Sequence, residues 1–253
     1  MKTSIKIISR SFLYLVIGIG FFASRAFAQG DGHKLSTSTL KIFIEYRLAK
    51  DNLLNENNIN VEIKGNKIIL SGTVPTIYDK KEAEEESRNV DENYFVINNL
   101  KVEGSGIPDS VVAQNVLKKI HNNVFYGVFD WVTLRYNNGV ATLKGWVHLP
   151  WLKSQFQSEA EKVAGVKEVK NEIKNTFGPG NIGIKAALLI YNDPEFEGME
   201  YLADPPVHII VNNGTVFLEG HVLSRAQSSW ADNIVRFRTD AFTVNNNLKI
   251  KGS

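Results

Sequence analysis

A five-residue pattern (leucine, any residue, glycine, any residue, valine) occurs three times in the chain, centred on Gly72, Gly145 and Gly220. An aliphatic residue lies 28 positions after each glycine, and an Asn or Gly lies 6 positions before it. Constant offsets in three successive segments indicate that one supersecondary unit is used three times. The chain is therefore expected to fold as a tandem array of similar small domains.

Each segment carries the pattern of a β-hairpin. Apolar and polar residues alternate along two short runs, which predicts strands with one buried face. The turns between the runs combine glycine with asparagine, a strong signal for a two-residue hairpin loop. They are Gly65-Asn66, Asn138-Gly139 and Asn213-Gly214. A third apolar run predicts a last strand in each segment, around Leu100, Ile173 and Leu248.

A helical pattern precedes each hairpin, and another follows it. In the first unit Leu40, Ile44 and Leu48 recur every four residues, the spacing of one buried helix face. In the third unit the same spacing places Ile184 and Leu188 on the buried face of its first helix.

The order of elements in each unit is helix, strand, strand, helix, strand. This predicts an α+β fold of three tandem α-β-β-α-β units, each a three-stranded mixed sheet with two helices on one face. Glycine-rich junctions at 103–106 and 178–180 mark the expected boundaries. The predicted domains are residues 29–104, 105–177 and 178–253.

The three repeated glycines are predicted to be structural. A glycine inside a strand usually marks a bulge or the close approach of another element. The element expected here is a helix that crosses the sheet. An alternative is that the glycine lets a ligand approach the backbone.

Residues 1–28 have the three parts of a secretory signal peptide. Met1–Arg10 is basic without an acidic residue, Phe12–Ala23 is an apolar run, and Ala26-Phe27-Ala28 is a small-x-small cleavage signal. The apolar run is shorter than the roughly 18 residues needed to cross a bilayer. We therefore expect cleavage after Ala28 and export to the periplasm, with an uncleaved anchor or a buried strand as alternatives.

Charge and composition argue against several classes of function. The leader holds four of the 29 basic residues and none of the 27 acidic residues, so the remaining chain has a formal net charge of −2. A near-neutral chain has no overall field that would attract nucleic acid. The chain has no cysteine, and its five histidines lack metal-site spacing. We expect no catalytic residue, no metal and no cofactor.

The aromatic residues of the second unit are the best candidates for a contact surface. A Trp and a Leu beside a Lys open its second helix, and such side chains can insert at a membrane interface. An apolar loop, which continues through Phe129 and Trp131, precedes its hairpin. Packing between units is the alternative explanation for both segments. The candidate residues are Leu149, Trp151, Leu152, Lys153, Phe125 and Tyr126.

The order of elements, the L-x-G-x-V strand and the V-x-G-V-x-x-V-x-N-x-I run from Val163 to Ile173 resemble the BON domain. The other units replace Gly165 of this run with Glu92 and Asp240 but keep the later asparagine. The resemblance extends over nearly all of the chain after the leader, as three copies. Because the shared residues are core and turn positions, it is specific for fold and weak for function.

The resemblance implies an exported envelope-maintenance factor that binds phospholipid membranes without catalytic residues. We therefore expect a non-enzymatic periplasmic protein that associates with phospholipid membranes and supports envelope integrity or osmotic-stress tolerance. The alternative is a protein-interaction adaptor or chaperone-like factor for envelope proteins. Neither hypothesis involves nucleic acid or a small-molecule cofactor.

Overall fold

The computed structural model of the protein describes residues 36–50, 53, 58–104 and 106–252. The predicted signal peptide and its cleavage site lie outside these residues. The first unit contains α1 (Thr37–Lys50), β1 (Asn58–Lys64), β2 (Lys67–Val74), α2 (Ile77–Arg88) and β3 (Phe95–Val102). The second contains α3 (Asp109–His121), β4 (Trp131–Asn137), β5 (Val140–Val147), α4 (Leu152–Glu161) and β6 (Glu168–Asn175). The third contains α5 (Gly180–Tyr191), a 3-10 turn (Met199–Tyr201), β7 (His208–Asn212), β8 (Thr215–Glu219), β9 (His221–Val222), α6 (Arg225–Arg238), β10 (Thr243–Asn246) and β11 (Lys249–Ile250).

The second strand lies at the centre of each sheet. In the first unit β2 pairs antiparallel with β1 and parallel with β3, and β5 pairs in the same way with β4 and β6. In the third unit Gly220 separates β8 from β9, which pair in parallel with β10 and β11 respectively. The predicted α+β fold with three mixed three-stranded sheets is therefore confirmed.

The hairpin turns follow from the residues that occupy them. Asn138 and Gly139 both have positive φ angles, 49° and 90°, as do Asn213 and Gly214 in the third unit, 49° and 76°. Two consecutive positive φ angles define the type I′ loop, which Asn-Gly favours because its twist matches that of the strands.

Each unit has its own hydrophobic core between its sheet and its two helices. The first core includes Leu40, Ile44 and Leu48 as predicted, all fully buried. The prediction for α5 was wrong. Ile184 and Leu188 are 48% and 58% exposed, whereas the core is reached by Ala186 and Ile190 and by neighbouring α5 positions. Nearly every residue of α5 is apolar or small, so helical spacing alone does not select its buried face.

A repeated asparagine ties the last strand of each unit to its second helix. The Asn171 amide donates to the Lys153 carbonyl at 2.7 Å, and its Oδ1 accepts from the Ile173 amide at 3.2 Å. The equivalent asparagines of the other units make the same two bonds, to Lys80 and Leu100 and to Ser228 and Leu248. The asparagine therefore connects the last strand to the second helix in every unit.

The repeated glycines accommodate a strand and not a helix. Gly72, Gly145 and Gly220 have φ angles of 122°, 126° and 122°. A Cβ added to them would lie 1.7, 1.9 and 2.4 Å from the carbonyl oxygens of Asn58, Trp131 and Pro206, at the start of the preceding strand or just before it. The expected crossing helix is thus replaced by the backbone of the adjacent strand.

The first and second units meet through their helices. Lys81 Nζ of α2 lies 2.6 Å from Glu161 Oε1 of α4, and Glu161 is only 5% exposed. Ile77 packs against the core of the second unit. Lys162 lies over the ring of Tyr78, 4.8 Å from its centroid. Burial, followed by the nearby Glu82 carboxylate, raises the pKa of Tyr78.

The second and third units meet through a different set of elements. The Ile209 amide of β7 donates to the Val128 carbonyl at 2.7 Å, and Val128 and Phe129 pack against the third core. Trp146 stacks on Phe217, with ring centroids 6.4 Å apart. The open face of the second sheet therefore contacts the third unit, whereas α4 contacts the first.

We expect Gly145→Ala to destabilise the second unit strongly. A side chain at φ 126° costs about 1–3 kcal/mol, and the added Cβ would collide with the Trp131 carbonyl. Chemical denaturation with hydrogen exchange to localise the loss measures the effect. Gly127→Ala is the control, because Gly127 has open space for a Cβ and no positive φ. Equal stability of the two variants would contradict this role of Gly145.

We expect Asn171→Ala to lower the free energy of unfolding by about 2 kcal/mol, because two hydrogen bonds are lost and partly buried groups are left unsatisfied. Thermal and urea denaturation measure the change. Asn137→Ala, at an exposed strand end, is the matched control and should change stability by less than about 0.5 kcal/mol. A loss no larger than that of the control would show that the bonds contribute little.

Candidate functional site

The predicted contact residues fall into two groups in the structure. Leu152 is fully buried, and Tyr126 is only 7% exposed. Leu149 packs partly buried against the core of the second unit. These three side chains hold the loops in place and do not face solvent as a contact surface would.

Helix geometry explains why Leu152 is buried whereas its neighbour Trp151 is exposed. Leu152 and Phe156 lie four residues apart on the buried face of α4, and both are fully buried. Trp151 precedes the helix by one residue, so its side chain points away from that face and is 44% exposed. Lys153 is exposed as well.

The solvent-facing residues form a small surface that we call the apolar tip, consisting of Val124, Phe125 and Trp151. Val124 and Phe125 are 88% and 53% exposed. The rings of Phe125 and Trp151 meet edge to face, with centroids 4.8 Å apart. Asn123 fixes the loop, since its Oδ1 accepts from the Phe125 amide at 3.1 Å. The structure therefore brings Phe125 and Trp151, 26 positions apart in sequence, into one surface.

A basic cleft adjoins the apolar tip. It lies between the C-terminal ends of α3 and α4, has a volume of about 680 Å³ and includes Val124 in its wall. Three lysines line it, Lys118, Lys119 and Lys162. Lys162 is paired with Glu159 at 3.1 Å, whereas Lys118 and Lys119 are exposed on α3. The tip and the cleft together present apolar side chains beside positive charge.

The sequence prediction did not include the lysines of the cleft. A signal for them exists in α3, where Lys118 and Lys119 lie between the buried positions Val116 and Ile120 and must face outward. Their position beside Val124 depends on the packing of α3 against α4.

The rest of the predicted aromatic loop belongs to the contact between units. Phe129 packs against the third core, and the Trp131 ring lies 5.0 Å from His208 and 5.8 Å from His221. Packing between units therefore accounts for Phe129 and Trp131, whereas a contact role for Phe125 stays a prediction.

The third unit exposes a second group of apolar side chains. Trp230 and Phe237 of α6 are 48% and 77% exposed, and Ile184 and Leu188 of α5 are exposed too. Trp230 borders a groove of about 490 Å³ together with Asp193 and other residues at the junction of the two helices.

Within residues 36–50, 53, 58–104 and 106–252, no group of three or more His, Cys, Asp or Glu side chains is arranged to hold a metal ion. In the same part of the chain, no helix has the length and apolar character needed to cross a membrane.

Comparison with protein families supports the resemblance seen in the sequence. The BON domain profile matches residues 44–104, 108–175 and 195–252, one match in each unit. The predicted boundaries between the units are not tested by these matches and stay predictions. No curated protein matches the chain.

Among solved structures, two of CdsD from Chlamydia trachomatis are similar to the chain. CdsD is described as a structural protein of the type III secretion system, and one of the two structures is of its C-terminal domain. Each has 13% sequence identity and a TM-score of 0.25. The similarity covers 85% of this chain and 99% of that one in the first case, and 82% and 90% in the second. Because three separate matches together span most of the 253 residues, the chain belongs to the BON domain family and contains three tandem copies of the domain.

Proposed function

We propose that the protein is an exported, non-enzymatic factor that associates with phospholipid membranes through its second unit and supports envelope integrity or osmotic-stress tolerance. BON domains are generally non-catalytic and are associated with membrane or phospholipid binding and with envelope or osmotic functions. The observation that carries the proposal is the apolar tip beside the basic cleft. Export to the periplasm rests on the leader sequence.

The apolar tip and the lysines beside it provide two features that favour binding to a membrane interface. Trp and Phe rings sit favourably at the boundary between headgroups and acyl chains, and nearby lysines are attracted to anionic lipid. Lys118, Lys119 and Lys153 are exposed around or next to the tip. The near-neutral net charge of the chain makes this local patch the source of any attraction to lipid.

The free energies of apolar burial and of electrostatic attraction indicate separate roles for the tip and the lysines. Full burial of a large apolar side chain contributes about 1.5–3 kcal/mol, and the tip residues are already partly covered, so the tip supplies a few kcal/mol. That corresponds to a dissociation constant of about 1 mM. Each lysine near an anionic surface adds about 1 kcal/mol. Stable association therefore requires both, and an anionic membrane is the expected ligand.

The corresponding positions of the other units do not provide such a tip. Trp151 lies six residues after its repeated glycine, and the equivalents are Tyr78 and Ala226. Tyr78 is engaged by Lys162 at the contact between the first and second units. Ala226 is small and borders the groove of the third unit.

The double variant Phe125→Ala, Trp151→Ala should bind vesicles with 30% anionic lipid at least about tenfold more weakly than the wild type. Co-sedimentation of residues 29–253 with these vesicles measures the partition coefficient. Both replaced side chains are largely exposed, so the fold should be retained, which circular dichroism checks.

Trp230→Ala with Phe237→Ala is the matched control, because it removes the same two residue types at comparable or greater exposure from another unit. It should bind within about twofold of the wild type. Unchanged binding by the tip variant, or an equal loss in the control, would overturn the proposed surface.

Lys118→Ala with Lys119→Ala should weaken binding to anionic vesicles by about 30-fold at low salt, since two lysines contribute about 2 kcal/mol. The difference from wild type should shrink at high salt and vanish on neutral vesicles. Lys249→Ala with Lys251→Ala removes two exposed lysines of the third unit and serves as the control. Equal losses for the two pairs would indicate non-specific attraction.

A second candidate function, a protein-interaction adaptor for envelope proteins, is favoured by the third unit. Its exposed Trp230 beside a groove of about 490 Å³ suits a polypeptide ligand better than a flat bilayer. The Trp230→Ala, Phe237→Ala variant separates the two functions. If it loses capture of an envelope protein in detergent while vesicle binding is unchanged, the adaptor function belongs to the third unit.

A further inference from the structure

Three of the five histidines gather at the contact between the second and third units. His121 ends α3, whereas His208 and His221 lie on β7 and β9. Asp204, in the loop before β7, lies between the first two, with its Oδ1 3.8 Å from His121 Nδ1 and 3.4 Å from His208 Nε2. A single carboxylate therefore faces imidazoles from two different units.

His208 is a buried polar link between the two units. It is completely buried, between the rings of Tyr126 and Trp131. Its Nδ1 lies 3.1 Å from the Gly127 carbonyl and its Nε2 faces the Asp204 carboxylate. Both partners are hydrogen-bond acceptors. One of these partners belongs to the second unit, which makes His208 part of the bond between the units.

His121 is placed as a neutral ring. It stacks on Tyr126 with centroids 4.8 Å apart, and its Nε2 is buried beside the Val132 backbone in a geometry too poor for a full hydrogen bond. Burial lowers the pKa of His121, and the charges of His208 and His221 add to the effect against the attraction of Asp204. A proton on this ring would place a positive charge where its buried Nε2 has no full hydrogen bond.

The other titratable groups around His121 do not offset the cost of this buried positive charge. Burial raises the pKa of Asp204, but the hydrogen bond from His208 and the charges of His121, His208 and His221 outweigh it and lower the pKa overall. The carboxylate thus stays ionised in mild acid. Burial raises the pKa of Tyr126 far above its ordinary value, so its hydroxyl stays neutral. Asp204 Oδ1 lies 3.8 Å from His121 Nδ1, too far for a hydrogen bond that would offset the burial of a charged ring.

We propose that the contact between the second and third units is proton-sensitive: it is closed with His121 neutral, and it opens when this ring is protonated. This device is independent of membrane binding by the apolar tip. The position of the third unit relative to the second would then depend on the pH of the surrounding solution.

Proton linkage gives the direction in which pH changes the stability of the closed contact. In the open arrangement His121 is hydrated and regains its ordinary pKa of about 6.5, whereas in the closed arrangement burial keeps its pKa lower. The open form therefore binds more protons in mild acid. The closed form has its full stability above about pH 6.5 and loses it as the pH falls below that value. One linked proton changes the ratio of open to closed forms by at most about tenfold per pH unit.

Double electron–electron resonance between spin labels tests the proposal without lipid. The chain has no cysteine, so Ser154→Cys on α4 and Ser229→Cys on α6 give two unique, exposed attachment sites in the second and third units. We expect a narrow distance distribution at pH 7.5. At pH 5.5 a population at other distances should appear, with the open-to-closed ratio up to about tenfold higher than at pH 6.5.

Variants of the cluster distinguish this mechanism from general acid expansion. His121→Gln should keep the narrow distribution at both pH values. His148→Gln is the matched control, since His148 is bonded to Asp130 within the second unit, and it should respond as the wild type does. An unchanged wild-type distribution at pH 5.5, or a full response in His121→Gln, would overturn the proposal.

Asp204→Asn provides a second test that does not depend on the folding of the His121 variant, because Asp204 lies at the surface with its side chain 43% exposed. Loss of the only carboxylate described between these rings should raise the pH at which the contact opens. A midpoint equal to that of the wild type, with circular dichroism unchanged, would contradict the assigned role of the carboxylate.

Discussion

In all three units, a backbone carbonyl at or shortly before the start of the first strand occupies the place where the central strand would carry a Cβ. It requires glycine at Gly72, Gly145 and Gly220, because the Cβ of any other residue would lie within 1.7–2.4 Å of that oxygen. The positive φ angles at these positions impose the same requirement a second time. The strand can then leave the glycine toward the second helix, where the repeated asparagine binds it back to the last strand. Two small features thus fix the path of the chain while most other positions vary.

Much of this frame is predictable because it is local. Alternation defines the hairpins, Asn-Gly pairs define their turns, and a glycine repeated at a fixed offset identifies the strand that approaches another closely. The identity of the approaching element was not predictable, since a glycine reports that space is needed and not which group fills it. The prediction of the buried face of α5 was wrong for a related reason. Its apolar residues surround the helix, so Ile184 and Ala186 could not be distinguished before the positions of β7 and α6 were known.

The candidate site could be predicted only as a set of segments. Trp151 and Leu152 are neighbours of similar polarity, and a single residue's rotation at the start of α4 decides which is buried. In the loop before β4, Phe125 faces solvent and Phe129 packs against the third unit. That division depends on where the third unit lies, which is a non-local property of the fold. Sequence patterns therefore supply the aromatic residues, and packing between units selects which of them reach solvent.

The two contacts of the second unit differ in kind, and this difference has a consequence for how the array behaves. Toward the first unit, Glu161 is buried and receives hydrogen bonds from Lys81 and Gln157, groups that stay charged or neutral across the ordinary pH range. Toward the third unit, the buried polar groups are histidines, whose charge changes near neutral pH. A buried charge without its partner costs several kcal/mol, so protonation can act on the second contact and leave the first intact. Because the tip lies on the second unit, the pair of units that would hold the membrane keeps its geometry while the third unit is the one free to move.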